Sequence, residues 1–316
     1  MYDWNGNHVA DFGRQGEGPG EYERPVSVGV DATGRVWLHD RRGVLLVYSA
    51  SGATLATVRL VGGRVGGPQR MVVTAEGIAY VLGTESADSF VAGMVPYDLN
   101  GVAGEMVELP DFLGDAYLSA GMRFIGVPFF AYADSMVTPR RARLVAAANE
   151  YSFRLEHPDG SVTQVKRTSE RIPVLAEEAE AHRHGVIRFL READPTWTWP
   201  NTDMPEHKPP FNQLLPTHTG EIWALRSGRA SPRNDCDPGT FPVDVNDLAP
   251  CWDEDRIVDV FAADGRYLGR LDLPTTISFE PPPFVAGDTV IARVEDAAGT
   301  IRVKRFRLVP PGTPGL

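Results

Sequence analysis

Seven short tetrads ending in glycine punctuate this chain: DATG at 31–34, SASG at 49–52, TAEG at 74–77, DLNG at 98–101, HPDG at 157–160, THTG at 217–220 and AADG at 262–265. Glycine supplies the positive φ of a tight hairpin, and an Asp or Asn before it bonds to its own backbone. Between the tetrads lie short runs such as RVWLHD (35–40), VLLVYS (44–49), IVDVFAA (257–263) and YLGRLDL (267–273). Their alternation of apolar and polar residues is the period of a half-buried strand. The expected class is all-β, and 32 glycines and 26 prolines without a collagen-like period agree with it.

The turns fall into two classes. After Gly34, Gly77 and Gly220 an aromatic stands three places on, at Trp37, Tyr80 and Trp223. Before Gly52, Gly101, Gly160 and Gly265 lies a strand bearing Tyr48, Tyr97, Phe153 or Phe261. Reading the first class as the turn from strand A to B, and the second as that from C to D, yields units of four antiparallel strands. They span 26–61, about 70–109, about 124–167, about 212–273 and about 282–309, the last with only three strands. Four-stranded units repeated at this spacing predict a β-propeller, with residues 1–316 forming one domain. The first residues, MYDWNGNHVADFG, read as the end of a C strand, a turn at Gly6 and a D strand. Either an upstream half-blade precedes them, or this remnant strand completes the last blade.

FGRQGEGPGEYERP (12–25) invites comparison with a phosphate-binding glycine loop. That motif opens a helix whose N-terminus holds the pyrophosphate, whereas here the chain continues as a strand, a turn and another strand. The stretch is expected to be a crossing between blades. Joined to its neighbouring strands, GRQGEGPGEYERPVSVGVDATGRVWLHDRRGVLLVYSASGATLATVRL (13–60) resembles the NHL-repeat family of six-bladed β-propellers. The shared features are the Gly-rich crossing, a Pro before strand A, a D-x-x-G-x-hydrophobic turn and an Asp ending strand B. GEGPGEY and the later MPEHKPPFNQLLPTHTGEIWALRS (204–227) are similar to bacterial six-bladed β-propeller proteins of unassigned function. The resemblance implies six blades; the residues supply five units and the N-terminal remnant.

With 31 basic and 42 acidic residues the net charge is −11, which repels a phosphate backbone, so no nucleic-acid partner is expected. The longest apolar stretch, FIGVPFFAYA (124–133), is far short of the ~20 residues of a membrane helix. No membrane span is expected, and no signal peptide is read in this sequence. Cys236 and Cys251 stand either as two free thiols or as a disulfide. The loop between them has little else to hold it, which favours the disulfide and a periplasmic or extracellular location for the full-length form. A monomer is expected.

Propeller connectivity places D-to-A crossings and B-to-C loops on one face, and the tight glycine turns on the other. The long connections, 110–123 and 168–211 as crossings and 84–92 and 227–256 as B-to-C loops, share the first face, which is expected to carry function. RIPVLAEEAEAHRHGVIRFLREADP (171–195) predicts a helix at about 173–192, with Leu175, Ala179, Val186, Ile187 and Leu190 as its apolar stripe. His182 and His184 stand about 200° apart on that helix, which excludes one shared metal and leaves them as solvated histidines.

The candidate ligand-binding residues are Arg14, Glu17, Glu21 and Arg24 on the first crossing, His39, Asp40 and Arg41 at the neighbouring B-to-C loop, Trp197 and Trp199 after the helix, and Asn212. Against these stand blander roles: a solvated rim of weak ion pairs, and a tryptophan pair packing a lid onto the propeller. The Asp-rich loop 232–256 offers oxygens for Ca²⁺ but lacks the EF-hand spacing, so neither a metal site nor a cofactor is assigned. The inward A strands read PVSVGV, QRMVVT and FNQLLP, mostly apolar apart from Asn212 and Gln213. Two functions remain in view. The first is a non-enzymatic binding propeller whose loop-rich face holds a protein, peptide or glycan. The alternative, drawn from the resemblance, is a metal-dependent hydrolase or lyase of the lactonase-like type. No catalytic residue is assigned, and the enzyme reading is the weaker one.

Overall fold

The computed structural model describes residues 1–3, 5–60, 71–84, 92–108, 117–121, 123–131, 133–147, 149–200, 202–233, 249, 251–274, 276–279, 283–295 and 300–309. The chain divides into two compact units: Met1–Asp111 with Ser135–Leu144 and Leu155–Val162, and Phe112–Asp134 with Val145–Arg154 and Thr163–Leu316.

The first unit opens with a short parallel pair, β1 (Arg14–Gln15) and β2 (Glu21–Tyr22). β3 (Pro25–Val30), β4 (Val36–Asp40), β5 (Val44–Tyr48) and β6 (Thr54–Arg59) then form a four-stranded antiparallel meander. The Asp31 carboxylate organises the first turn. Its Oδ1 accepts the N–H groups of Thr33 and Arg35, and its Oδ2 accepts Arg35 Nε at 2.6 Å and the indole N–H of Trp37 at 3.0 Å. The aromatic three places after the glycine is therefore tied to the turn that precedes it. β7 (Met71–Val73), β8 (Ala79–Thr84), β9 (Ala92–Tyr97) and β10 (Val107–Glu108) repeat the meander. Trp37, Leu45, Val47, Val58, Ala79, Val81, Val95 and Tyr97 make one core between the two sheets. A Cβ on Gly29 of β3 would stand 2.5 Å from the Val73 side chain of β7, so glycine lets the two inner strands approach.

β11 (Tyr117–Ala120) and β12 (Arg123–Gly126) form a separate hairpin. The third four-stranded sheet is β13 (Ala133–Val137), β14 (Arg143–Ala147), β15 (Ser152–Glu156) and β16 (Val162–Lys166), its residues falling partly in each unit. It begins at 133 rather than 124 as expected. Residues 124–126 pair back onto β11 because Leu118, Ile125 and Val127 are buried with Val186 and Leu190 of helix α1 (Ala176–Arg191), not against a neighbouring sheet.

In the second unit β17 (Phe211–Pro216) and β18 (Ile222–Arg226) lead into an inserted hairpin, β19 (Ala230–Pro232) with β20 (Trp252–Glu254). β21 (Arg256–Phe261) then pairs with β18, and β22 (Tyr267–Leu273) completes four strands. The last sheet is β23 (Phe284–Ala286), β24 (Thr289–Glu295) and β25 (Ile301–Arg307). Among the described residues its three strands match the sequence expectation. Leu215, Trp223, Val258, Ile277, Val285, Val290 and Val294 are among the residues of the core shared with the preceding sheet. Each meander is sequential in strand order; the β13–β14 turn lacks a glycine, and Arg141 takes the positive φ there (63°). The N-terminal remnant is a small hairpin, with Tyr2 bridging His8, and Phe12 beyond it stacks edge-on against Tyr48 at 6.1 Å.

Candidate functional site

The polar residues of the first crossing separate into buried ties and an exposed rim. The Asp40 side chain is fully buried. Its Oδ2 accepts the N–H groups of Glu23 (2.7 Å) and Arg24 (2.9 Å), and its Oδ1 accepts the backbone N–H and Nε of Arg42 at 2.9 and 2.8 Å. Burial alone would raise the Asp40 carboxyl, but these donors hold it below the usual carboxylate range. Glu21 pairs with Arg14 and accepts the Gly18 N–H at 2.9 Å. Arg14, Glu17, Arg24 and Arg41 are exposed. Arg41 touches the crossing through its backbone, donating to the Arg24 carbonyl at 2.9 Å. His39 is buried with its Nδ1 unpartnered, and burial, opposed only in part by Asp40, depresses it to about 4. The glycine loop encloses a tyrosine where a nucleotide loop encloses phosphate. Tyr48 Oη donates to the Gly20 carbonyl at 3.0 Å, and a Cβ on Gly13 would lie 2.4 Å from that hydroxyl.

In the second unit, α1 carries Glu177 and Glu178 in its first turn and Arg188 and Arg191 in its last, complementing the helix dipole. Val186 and Leu190 are buried as the stripe requires, but Leu175 is 45% exposed and Glu178 is buried beside the stripe. The cause is Lys208. Segments 172–174 and 206–208 are zipped by the Lys208 N–H to the Ile172 carbonyl (2.8 Å) and the Val174 N–H to the Glu206 carbonyl (3.0 Å). This sets the Lys208 ammonium 2.6 Å from Glu178 and 3.5 Å from Glu254 of β20. The approach to Glu178 is close but off the angle of a hydrogen bond. Burial pushes the Glu254 carboxyl up despite Lys208 and a bond from the Gly228 N–H.

His182 belongs to this cluster and is not solvated, contrary to expectation. Its ring meets the Phe129 ring edge-on at 4.6 Å, and burial and then Lys208 depress it to about 4. Phe129 adopts a φ of 62°, strained backbone for a bulky residue, next to that ring. His184 is exposed and lies 3.1 Å from Glu180.

Trp197 and Trp199 pack half-buried against the α1 and hairpin core. The Trp197 indole donates to the Ser119 carbonyl (3.0 Å) and that of Trp199 to the Thr202 carbonyl (3.1 Å). The Arg183 guanidinium lies over the Trp199 ring at 5.4 Å. Asn212 sits where the β17–β18 register shifts, and its Oδ1 accepts the Ser227 hydroxyl at 3.0 Å. Such a bulge re-aims a side chain away from the regular ladder.

A second polar hub has no counterpart among the sequence expectations. Asp259, buried in β21, accepts Tyr151 Oη at 2.7 Å on Oδ2 and Tyr267 Oη at 3.1 Å on Oδ1. The guanidinium of Arg167 lies 3.5 Å from Asp259 and 3.6 Å over the Tyr267 ring; Arg226 stands 3.9 Å from the same carboxylate. Burial, then the bond to Asp259, pushes the Tyr151 phenol far above its ordinary range. Tyr151 and Asp259 are 108 residues apart, and no motif spacing announces them.

Among the described residues, no three His, Cys, Asp or Glu side chains lie close enough together to hold a metal. Much of the Asp-rich loop, 234–248, lies outside the described residues, and Cys236 with it. Cys251 is disulfide-bonded. No helix among the described residues is long and apolar enough to cross a membrane.

No family model and no curated protein matches this chain. Among solved structures it is similar to a member of the DUF4221 family from Bacteroides vulgatus, at a TM-score of 0.52 and 8% identity over 96% of this chain and 84% of that one. The fold is a β-propeller. The propeller also matches a virginiamycin B lyase from Staphylococcus aureus (TM-score 0.36, 9% identity, 89% of this chain and 83% of that one). A gluconolactonase from Xanthomonas campestris matches at 0.32 and 12% identity over 85% of this chain and 69% of that one. The likeness to the DUF4221 structure carries the fold alone, and none of the three carries any chemistry.

Proposed function

We propose that this propeller is a non-enzymatic binding module whose loop-bearing side holds a protein, peptide or glycan. The observation that supports it is the state of the buried acids. All four buried carboxylates among the described residues, Asp31, Asp40, Glu178 and Asp259, already face donors or cations of their own chain. A general base needs a free, ionised acceptor within reach of substrate, and these four are spent on holding turns, a crossing, a helix and a hub. The Asp31 turn and the glycine crossing over Tyr48 support placing the chain with the NHL-type bacterial six-bladed propellers. The bonded Cys251 supports work in an oxidising compartment, periplasmic or extracellular.

The test is a hydrolysis screen of lactones and aryl esters, with Ca²⁺, Mn²⁺ or Zn²⁺ and with EDTA, run beside glycan and peptide arrays. Binding on an array without turnover above buffer is the expected result. Metal-dependent turnover that EDTA abolishes would overturn the binding reading in favour of the hydrolase.

A further inference from the structure

The hub around Asp259 gathers more positive charge than its own residues balance. All five belong to the second unit: Tyr151 just before β15, Arg167 just after β16, Arg226 at the end of β18, Asp259 in β21 and Tyr267 in β22. Two guanidiniums stand against one carboxylate, Arg167 at 3.5 Å and Arg226 at 3.9 Å. Among the described residues neither has another carboxylate within ion-pair reach. The Tyr151 phenol adds no negative charge, because burial and then Asp259 hold it far above its ordinary range. The local balance is two positive charges to one negative.

Acceptors are short as well. Each Asp259 oxygen already accepts a tyrosine hydroxyl. A guanidinium brings five N–H donors and no acceptor. Arg167 Nη1 and Arg226 Nε are buried, and neither nitrogen has a hydrogen-bond partner. Like charges held together away from water repel strongly until a counter-charge joins them. The pair is still open to solvent: the Asp259 side chain is 2% exposed, but those of Arg226 and Arg167 are 19% and 32% exposed. Tyr151, Arg167 and Arg226 stand at strand ends joined by B-to-C loops and D-to-A crossings, on the loop-bearing side.

We propose that Arg167 and Arg226 form a binding site for one carboxylate group of a small-molecule ligand, with Asp259 behind them as the fixed half of the counter-charge. A carboxylate brings one negative charge and two oxygens, which guanidiniums meet with parallel N–H donors. That closes the balance at two against two. A phosphate monoester carries close to two negative charges and would overshoot it beside Asp259, so it binds less well. The site stands whether the chain is a binding module or an enzyme. Its occupation is read without turnover and without an array, so failure of either reading leaves the other standing.

The experiment titrates the full chain with benzoate, with neutral benzamide and with phenyl phosphate, following the arginine Nε–H resonances by NMR. Spectra of Arg167→Gln and Arg226→Gln assign the two signals, and circular dichroism melts establish that each variant is folded. The expected result is saturable benzoate binding that moves both signals, with benzamide inert and phenyl phosphate weaker. Either glutamine variant should weaken benzoate about tenfold or more. Arg226→Lys should weaken it less, since the charge is kept while the planar fork is lost. Asp259→Asn should tighten benzoate severalfold by removing a competing negative charge, an effect that a merely structural ion pair would not produce. Benzamide bound as well as benzoate, phenyl phosphate bound more tightly, or benzoate binding that survives both glutamine variants would overturn the proposal. So would two signals that stay still at tens of millimolar benzoate.

Discussion

The Lys208 ammonium lies 2.6 Å from the Glu178 carboxylate, and both side chains are only 2% exposed. One ion pair thus joins the first turn of α1 to the segment that enters β17. Two charges out of water cost several kcal/mol each, and their attraction repays this only while both are present.

Lys208→Met should therefore destabilise the protein by about 3–5 kcal/mol, since Glu178 would be left buried and uncompensated. Lys208→Met with Glu178→Leu should recover most of that loss. Urea melts of the single and double variants check this; a single variant as stable as the parent would mean that the pair is not buried in solution.

Acid stability should fall in two windows. His39 and His182 are held at about 4 in the fold against 6.5 in the unfolded chain. The unfolded state therefore takes up their protons first, and stability that is full above pH 6.5 declines as the pH falls toward 4. Asp31, held at about 2 against 3.8, contributes stability present above pH 3.8 and lost as the pH falls toward 2. Glu254, raised in the fold, acts in the opposite sense, its contribution shrinking as the pH rises above 4.5. His39→Asn should flatten the slope of melting temperature between pH 6.5 and 4 while leaving the lower window in place.

The glycines of the crossing differ from those of the exposed turns. Gly20 has a φ of +73°, and a Cβ there would stand 2.4 Å from Thr54 Oγ1. Gly160 has a φ of +84° with nothing within 4 Å. Gly160→Ala should cost about 1–2 kcal/mol from backbone strain alone, and Gly20→Ala clearly more, because Thr54 must also move. Paired thermal melts decide it, and equal losses would refute the close approach.

At the second hub, Tyr151→Phe removes one hydrogen bond to a buried carboxylate and should cost about 1.5–3 kcal/mol. Asp259→Asn should cost more, because Arg167 and Arg226 would then face each other across a neutral amide. A chemical-denaturation series that reverses this order would show that Asp259 is not the centre of the network.

By itself the sequence determined the local architecture. The turns at the seven glycine tetrads, the aromatic three residues after each A-to-B glycine, the helix at 176–191 and the three strands described in the last sheet were legible. Each rests on interactions within a few residues: a positive φ, a period of two, a carboxylate bonding its own turn. Tertiary structure alone decided the rest. That residues 124–126 join a hairpin under α1, that Glu178 is buried, that His182 is shielded and that Asp259 gathers two tyrosines and two arginines all depend on partners far along the chain. Asp40 shows the boundary: its place at the end of a B strand was readable, yet the backbone groups it holds, those of Glu23 and Arg24, come from a crossing that only folding brings to it. Alternation records which way a side chain points, whereas the pairing of buried charges is set by which segments fold against one another, and that leaves no period in the sequence.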